Sequence, residues 1–247
     1  MPWRTVKSLR RFRAARLGRF PRRIRLAIDW AVLAAIIMSL GVITNVSSRV
    51  TEADAAAFRS VLKLEKREQR PETFAEEIDL IRLVQNRILT AVPINQGIPQ
   101  FESREPVNLF RLGYGLCYDR SRSIEKALAF EGFETRHVYV LYKGGKSLLR
   151  AALTYRQPSH AVTEVRTSRG WMLVDSNSRW IALTKKGEPV PADRVWQRVA
   201  DFYSVPEGLD QPAWMFQGLY SRKGFFYKPY FPFPEANWLI FFKALFE

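Results

Sequence analysis

The sequence predicts an α+β fold preceded by one transmembrane helix, and three observations support this prediction. Residues 26–46 form one apolar run, and residues 74–88 repeat apolar side chains at helical spacing. Residues 135–176 contain short runs of strand type separated by turns. A chain of 247 residues is long enough for one domain of ordinary size with such an appendage.

The positive charge of the chain is concentrated in a basic tail, residues 1–25. The formal net charge is +15, and this tail holds ten lysines and arginines and no acidic residue, which leaves +5 for the remainder. Basic tails can bind nucleic acid. Because the apolar run follows directly, the sequence instead favours a cytoplasmic tail beside a membrane, with no nucleic-acid partner.

The apolar run 26–46 predicts a membrane anchor. Its 21 residues contain one charge, Asp29, near the basic end, and this length spans a bilayer core. The alternatives are a buried helix and a cleaved signal peptide, but the run lacks a small-x-small site and is longer than the hydrophobic region of a typical signal peptide. Positive residues stay on the cytoplasmic side, so we expect a single-pass protein of the bacterial inner membrane with its domain in the periplasm.

Five segments are expected along the chain. They are a basic cytoplasmic tail (1–25), a transmembrane anchor (26–46), a helical stalk (47–72), the main domain (73–185) and an aromatic-rich C-terminal extension (186–247). The last part, 213–247, holds thirteen aromatic residues. We expect either a tail wrapped over the domain with its aromatic side chains buried, or contact with the membrane surface near the anchor.

Two helices and several strands are predicted in the main domain. Thr73 and Glu76 form a capping-box pattern at the start of the first helix. A loop follows at 92–107, and a second helix at 119–131 ends at Gly132. The predicted strands are 135–142, 148–156, 160–166 and 170–176.

Cys117, the only cysteine, precedes the second helix within the segment "GLCYDRSRS". One cysteine makes no internal disulfide, and a free thiol in an oxidising compartment is a liability unless it is used. The N–H groups at a helix start favour a thiolate and can stabilise an oxyanion. The sequence therefore indicates a nucleophile, while an inert structural cysteine is the alternative.

The two histidines, His137 and His160, are the candidates for a base that activates the thiol. His137 lies inside a predicted strand, whereas His160 opens one, and a strand end suits a reactive ring better. If Arg166 pairs with Trp171 in the hairpin, His160 comes opposite Asn177 and diagonal to Asp175 on the same face. Either of the latter two side chains could then orient the ring.

These segments resemble the transglutaminase-like family over about residues 74–185. The family pattern has a Gly-x-Cys before a helix, a Gly-x-x-x-Arg, a His-Ala-Trp-x-Glu-Val strand and a Gly-Trp-x-x-x-Asp strand. The chain matches it with "GLC", with "GFETR", with "HAVTEV" and with "GWMLVD", and departs from it at Val162. The Cys–His spacing of 43 and the His–Asp spacing of 15 also agree.

The resemblance implies a papain-like core, in which the nucleophile's helix packs on an antiparallel sheet. It implies Cys117 as nucleophile, His160 as general base and acid, and Asp175 as the residue that orients His160. No oxyanion side chain is evident, and the candidates are Gln96, Gln100 and Tyr114. One cysteine and two histidines do not form a zinc set, so no metal and no cofactor is expected.

The expected function is hydrolysis of peptide or glutamine amide bonds through a thioester, in a membrane-anchored, extracytoplasmic thiol enzyme. Hydrolysis is favoured over cross-linking because water is always present. The partners are then a protein or peptide substrate and the lipid bilayer around 26–46. The alternative is a catalytically inactive module of the same fold that binds an exported peptide or a cell-envelope polymer.

Overall fold

The computed structural model describes residues 21–67, 69–99, 102–142, 144–147, 150, 158–220 and 235–246. The chain divides into two units, Met1–Ile43 and Thr44–Glu247. The fold is a mixture of helices and antiparallel sheet. This agrees with the predicted α+β class.

Helix α1, Arg22–Thr44, covers most of the predicted anchor. It has 23 residues and a mean hydropathy of 2.3, and none of its most apolar 18-residue window is buried. At 1.5 Å per residue the helix is about 34 Å long, compared with about 30 Å for a bilayer core. By length and composition, α1 is able to cross a membrane.

Among the described residues of the predicted stalk, 47–67 and 69–72, the helical ones are Glu52–Ser60, helix α2. A capping box between Thr51 and Asp54 starts this helix. Its Phe58 is fully buried, and Leu62 and Leu64 beyond its end belong to the same core. These apolar side chains pack on the domain because burial stabilises them more than exposure on a stalk would.

Three helices follow, α3 (Phe74–Ala91), α4 (Pro106–Leu112) and α5 (Cys117–Phe130). The capping box of α3 forms as predicted: Thr73 N donates to Glu76 Oε2 at 3.0 Å, and Glu76 N donates to Thr73 Oγ1 at 3.3 Å. Helix α4 begins within the last two residues of the predicted loop, 92–107, and extends to Leu112. Its proline stands at the first helical position, where a missing N–H costs nothing.

The main sheet has four antiparallel strands in the order β3-β2-β1-β4. Their bounds are Thr135–Tyr142 for β1, Ser159–Thr167 for β2, Gly170–Val174 for β3 and Pro212–Gln217 for β4. The residues of the predicted strand 148–156 lie outside the described part of the chain, apart from Arg150. Helix α5 packs on β1 and β2, where Thr163 Oγ1 donates to the carbonyl of Ser121 at 2.8 Å.

The segment predicted as a C-terminal extension supplies part of the sheet. Strand β4 pairs with β1, whose outer edge would otherwise present unpaired backbone groups. The segment also contains helix α6 (Ala192–Val195), the short strands β5 (Leu219–Tyr220) and β6 (Glu235–Ala236), and helix α7 (Trp238–Phe246). Residues 221–234, which hold many of its aromatic side chains, lie outside the described residues.

Candidate active site

Cys117 is the first residue of helix α5, and three contacts fix the approach to it. Leu116 N donates to Asp119 Oδ2 at 2.9 Å, and Arg104 NH1 lies 3.0 Å from Asp119 Oδ1. A Cβ on Gly115 would lie 2.4 Å from Leu109 Cδ1 and 3.1 Å from Asp119 Cβ, so any larger residue there would force a neighbour to shift. The half-buried thiol therefore sits at a rigid helix N-terminus, whose first N–H groups have no acceptor within the helix.

His160 lies at the start of β2, between Cys117 and Asp175. Its Nε2 is 2.5 Å from Asp175 Oδ1, and the Cys117 thiol is within hydrogen-bonding reach of the ring. Burial disfavours the charged ring, but the hydrogen bonds and negative charge of Asp175 and Cys117 outweigh it and raise the pKa of His160 to about 9. The structure thus brings together the three residues that the sequence singled out.

The register of the β2–β3 hairpin explains why His160 and Asp175 lie in contact. Arg166 pairs with Trp171 and Thr163 with Val174, as predicted. Asp175 follows the last paired residue of β3 directly, so its side chain reaches the ring diagonally. Asn177, the predicted direct neighbour, has its Nδ2 3.4 Å from His160 Nδ1. Of the two predicted orienting residues, the carboxylate holds Nε2 and the amide faces Nδ1.

The Asp175 carboxylate is held in its ionised form. Its Oδ1 accepts from Ser176 N at 2.8 Å, and its Oδ2 accepts from Ser178 N at 2.8 Å and Ser178 Oγ at 2.6 Å. Burial opposes the charge, but His160 and Ser178 outweigh it and lower the pKa of Asp175. A fixed carboxylate of this kind stabilises the imidazolium that forms when a thiol gives up its proton.

Gln85 of helix α3 holds the turn at residues 175–180 in place through hydrogen bonds to its backbone. Its Nε2 donates to the carbonyl oxygens of Asp175 at 2.8 Å, Ser178 at 3.0 Å and Trp180 at 2.8 Å. The sequence interpretation missed this residue. The signal was present, because Gln85 falls on the apolar face of α3 beside Ile81 and Ile88, where a polar side chain needs a buried partner.

Arg120 connects two asparagine side chains at the site. Its NH2 donates to Asn95 Oδ1 at 2.6 Å and to Asn177 Oδ1 at 3.0 Å. With its oxygen held, the Asn177 amide presents Nδ2 to His160 Nδ1. This arrangement favours the ring tautomer that carries its proton on Nε2, where Asp175 accepts it.

The Arg120 side chain also places positive charge near the thiol. It is only 4% exposed. Burial lowers the pKa of Arg120, and the negative charges of Cys117 and Asp175 act in the opposite direction. A fixed cation at this position stabilises a thiolate.

Replacing Arg120 by methionine is expected to slow alkylation of Cys117 at about pH 6 by roughly tenfold, equal to about 1.4 kcal/mol. The change removes the cation and frees the Asn177 amide to rotate. Lysine at position 120 should recover part of the rate because it restores the charge. The matched control is Arg111→Met, since Arg111 is 65% exposed in its ion pair with Glu102. An unchanged pH–rate profile in Arg120→Met would remove Arg120 from the site.

His137 lies away from Cys117, inside the sheet. Its Nδ1 is 3.2 Å from Ser121 Oγ, and its ring stacks on Tyr220 with centroids 4.2 Å apart. Burial, with the nearby positive charge of Arg122 and His160, lowers the pKa of His137 to about 3. A ring that stays neutral and enclosed in this way is structural.

The three residues considered for the oxyanion have different surroundings. Gln96 is exposed, Tyr114 packs in a small apolar cluster, and Gln100 lies outside the described residues. Gly115 N donates to the carbonyl of Ile94 at 3.1 Å. This hydrogen bond holds the loop that follows α3 beside the residues preceding Cys117. Asn95, tied to Arg120, is the amide that this loop brings to the site.

The remaining matched residues form a structural cluster on the sheet. Arg136 Nε lies 2.6 Å from Glu164 Oε2, and the Arg136 guanidinium stacks over the Trp171 ring at 4.1 Å. Val162, the departure from the family pattern, is fully buried in the core. Within the described ranges, no three acidic, histidine or cysteine side chains come together as a metal site would require.

No protein-family model matches the sequence, and no curated protein is similar to it.

Proposed function

We propose that this protein is a membrane-anchored thiol enzyme of transglutaminase-like type that acts on peptide or glutamine amide bonds. The observation that carries the proposal is the ordered contact of Cys117, His160 and Asp175 at a helix N-terminus. Packing of α5 on the antiparallel sheet supports a papain-like core. The sequence resemblance supports the substrate class, the catalytic roles and the family in this proposal.

The proposed reaction has two halves. His160 Nδ1 accepts the thiol proton, and the sulfur attacks the carbonyl carbon while the Cys117 N–H stabilises the oxyanion. The C–N bond then breaks, the imidazolium protonates the leaving amine, and a thioester remains on Cys117. Water attacks the thioester carbon while His160 takes a proton from it. The C–S bond then breaks, the acid is released, and the imidazolium returns a proton to the Cys117 sulfur. An amine in place of water would give transfer instead.

The proposed location is the periplasmic side of a bacterial inner membrane. Helix α1 is long and apolar enough to span, and the basic residues before it favour a cytoplasmic N-terminus. Everything after Thr44 then lies outside the cytoplasm. This placement agrees with a chain whose single cysteine is kept as a thiol.

The proposal is tested by the rate of Cys117 alkylation against pH, measured on the full chain in detergent. An imidazole-paired thiol reacts quickly at about pH 5–6, whereas a free thiol titrates near pH 8.5. We expect fast labelling at about pH 6 in the wild type and the free-thiol profile in His160→Ala. Urea-unfolded wild type supplies the free-thiol reference.

The same preparation tests turnover with a mixture of glutamine-containing peptides. Release of ammonia or peptide cleavage reports hydrolysis, and incorporation of a tagged amine reports transfer. Both should vanish in Cys117→Ala. If the wild type shows the free-thiol profile and Cys117→Ser replaces the wild type in cells, the chain is a binding module and the enzyme proposal is wrong.

A further inference from the structure

Helix α7, Trp238–Phe246, has one side that packs on the domain. Trp238 and Phe241 contact a cluster that contains Tyr139 and Leu141 of β1. The approach is close, since a Cβ on Gly218 would lie 2.9 Å from both Asn237 O and Phe241 N. The backbone of Gly218 also has φ +71°, which disfavours any other residue. Helix α7 is therefore firmly seated on the sheet.

The opposite side of α7 is apolar and exposed. Leu239, Phe242 and Phe246 are 81%, 51% and 84% exposed. Their spacing of three and four residues places them on one helix face. Lys243, also exposed, lies beside this face. A helix of nine residues thus exposes three large apolar side chains next to one another. Exposed apolar patches of this kind are typical of surfaces that contact a protein or a membrane.

The start of α7 is hydrogen-bonded to residues 44–46, at the end of α1 and just after it. Trp238 Nε1 donates to Thr44 Oγ1 at 3.0 Å, and Trp238 N donates to Asn45 Oδ1 at 3.3 Å. Val46 N donates to the carbonyl of Ala236 at 2.9 Å. Thr44 is the last residue of α1, so the first turn of α7 lies against the point where the apolar helix ends.

The thickness of a bilayer indicates how close α7 lies to the membrane surface if α1 spans it. Helix α1, about 34 Å long, exceeds the hydrocarbon core of about 30 Å by only a few ångströms. The polar interface adds roughly 5–7 Å on each side. Helix α7 is about 13 Å long and begins in contact with Thr44. Its apolar face is therefore within reach of the lipid interface.

We infer that α7 is an interfacial helix that binds the surface of the bilayer crossed by α1, through Leu239, Phe242 and Phe246. Aromatic side chains with a neighbouring lysine are the composition that the headgroup region favours. The inference rests on the proposed anchor and is independent of the thiol chemistry. It commits to lipid as the occupant of this face, because the hydrogen bonds to Thr44 and Asn45 tie the helix to the end of the span.

The test uses the full chain in nanodiscs, with Cys117→Ser so that one introduced cysteine carries an environment-sensitive fluorophore. The labelled positions are Phe242→Cys on α7, Ile36→Cys in α1 and Tyr203→Cys as an exposed control; Tyr203 is 90% exposed. Quenching is measured with nitroxide lipids and with aqueous iodide. We expect lipid quenching at positions 242 and 36, and iodide quenching alone at 203. Leu239→Cys repeats the measurement if Phe242→Cys fails to fold.

Three results would overturn the inference. Lipid quenching at position 36 with only iodide quenching at 242 would keep the anchor and reject α7 as a membrane helix. Protection of position 242 that requires two chains per disc would assign the face to a second copy. Absence of lipid quenching at both positions would reject the anchor together with the inference.

Discussion

Replacing Asp175 by asparagine is expected to lower the rate of Cys117 alkylation at about pH 6 by tenfold or more. The thiolate fraction of a free thiol is only about 0.3% at that pH, although a thiolate in an ion pair is intrinsically less nucleophilic. Without the carboxylate 2.5 Å from Nε2, only Cys117 opposes the effect of burial, so the pKa of His160 falls from its raised value. Peptide turnover should fall further, by up to about 10⁴-fold, as for an orienting aspartate in other triads.

The same change alters how stability depends on pH. The pKa of His160 is raised to about 9 in the folded protein, so its contribution is complete below the ordinary histidine value and is lost as the pH rises through about 9. The pKa of Asp175 is lowered, so its contribution is lost only in acid, as the pH falls through its folded value. Asp175→Asn should therefore reduce the loss of stability between about pH 6.5 and 9.

Thermal unfolding of the full chain in detergent, from about pH 6 to 10, measures this difference. Asp201→Asn is the matched control, because Asp201 is 47% exposed in its pair with Arg198. The control should follow the wild-type curve. Parallel curves for wild type and Asp175→Asn would contradict the raised pKa of His160.

Replacing Lys126 by methionine is expected to destabilise the domain by about 3–5 kcal/mol. Lys126 Nζ lies 2.8 Å from Asp54 Oδ2 and 2.6 Å from Glu105 Oε2, and its side chain is 2% exposed. In the variant Glu105 still has its ion pair with Arg122, whose NH2 lies 2.6 Å from Glu105 Oε1, and the Glu105 side chain is 44% exposed. The Asp54 side chain is 1% exposed. The variant thus leaves the Asp54 carboxylate buried without its cation, a loss comparable to much of a domain's total stability.

Chemical denaturation of the full chain in detergent measures the loss. The double variant Lys126→Met/Asp54→Asn should recover a large part of it, because it removes the buried charge and keeps an acceptor for Thr51 N, which lies 3.0 Å from Asp54 Oδ2. Lys186→Met, at an exposed position, should change stability by less than about 0.5 kcal/mol. Equal effects of Lys126→Met and Lys186→Met would show that the buried cluster does not hold α2 and α5 together.

Much of the candidate site could be predicted from local rules. Strand alternation and the short turn set the register of the 160–176 hairpin, and this register fixes His160 beside Asp175 and Asn177. The preference for His160 over His137 followed from its place at a strand end. The catalytic roles of these residues remain a proposal that the alkylation and turnover measurements decide.

Gln85, Arg120 and Asn95 show where local rules stop. Gln85 bonds to Asp175, which is 90 positions away, and Arg120 bonds to Asn177, which is 57 positions away. Residue type and periodicity indicate that such a side chain needs a partner, but they do not identify the partner. Only the packing of α3 and α5 against the hairpin brings these atoms within hydrogen-bonding distance.

The sequence by itself determined the apolar helix at the N-terminus, the α+β class and the hairpin, because composition, periodicity and turn chemistry act over neighbouring residues. The tertiary structure decided that α2 belongs to the core, that β4 completes the sheet, and that α7 is bonded to the end of α1. These outcomes depend on which distant surfaces bury each other. Which surfaces bury each other is decided by the whole folded chain and cannot be read from any short segment of the sequence.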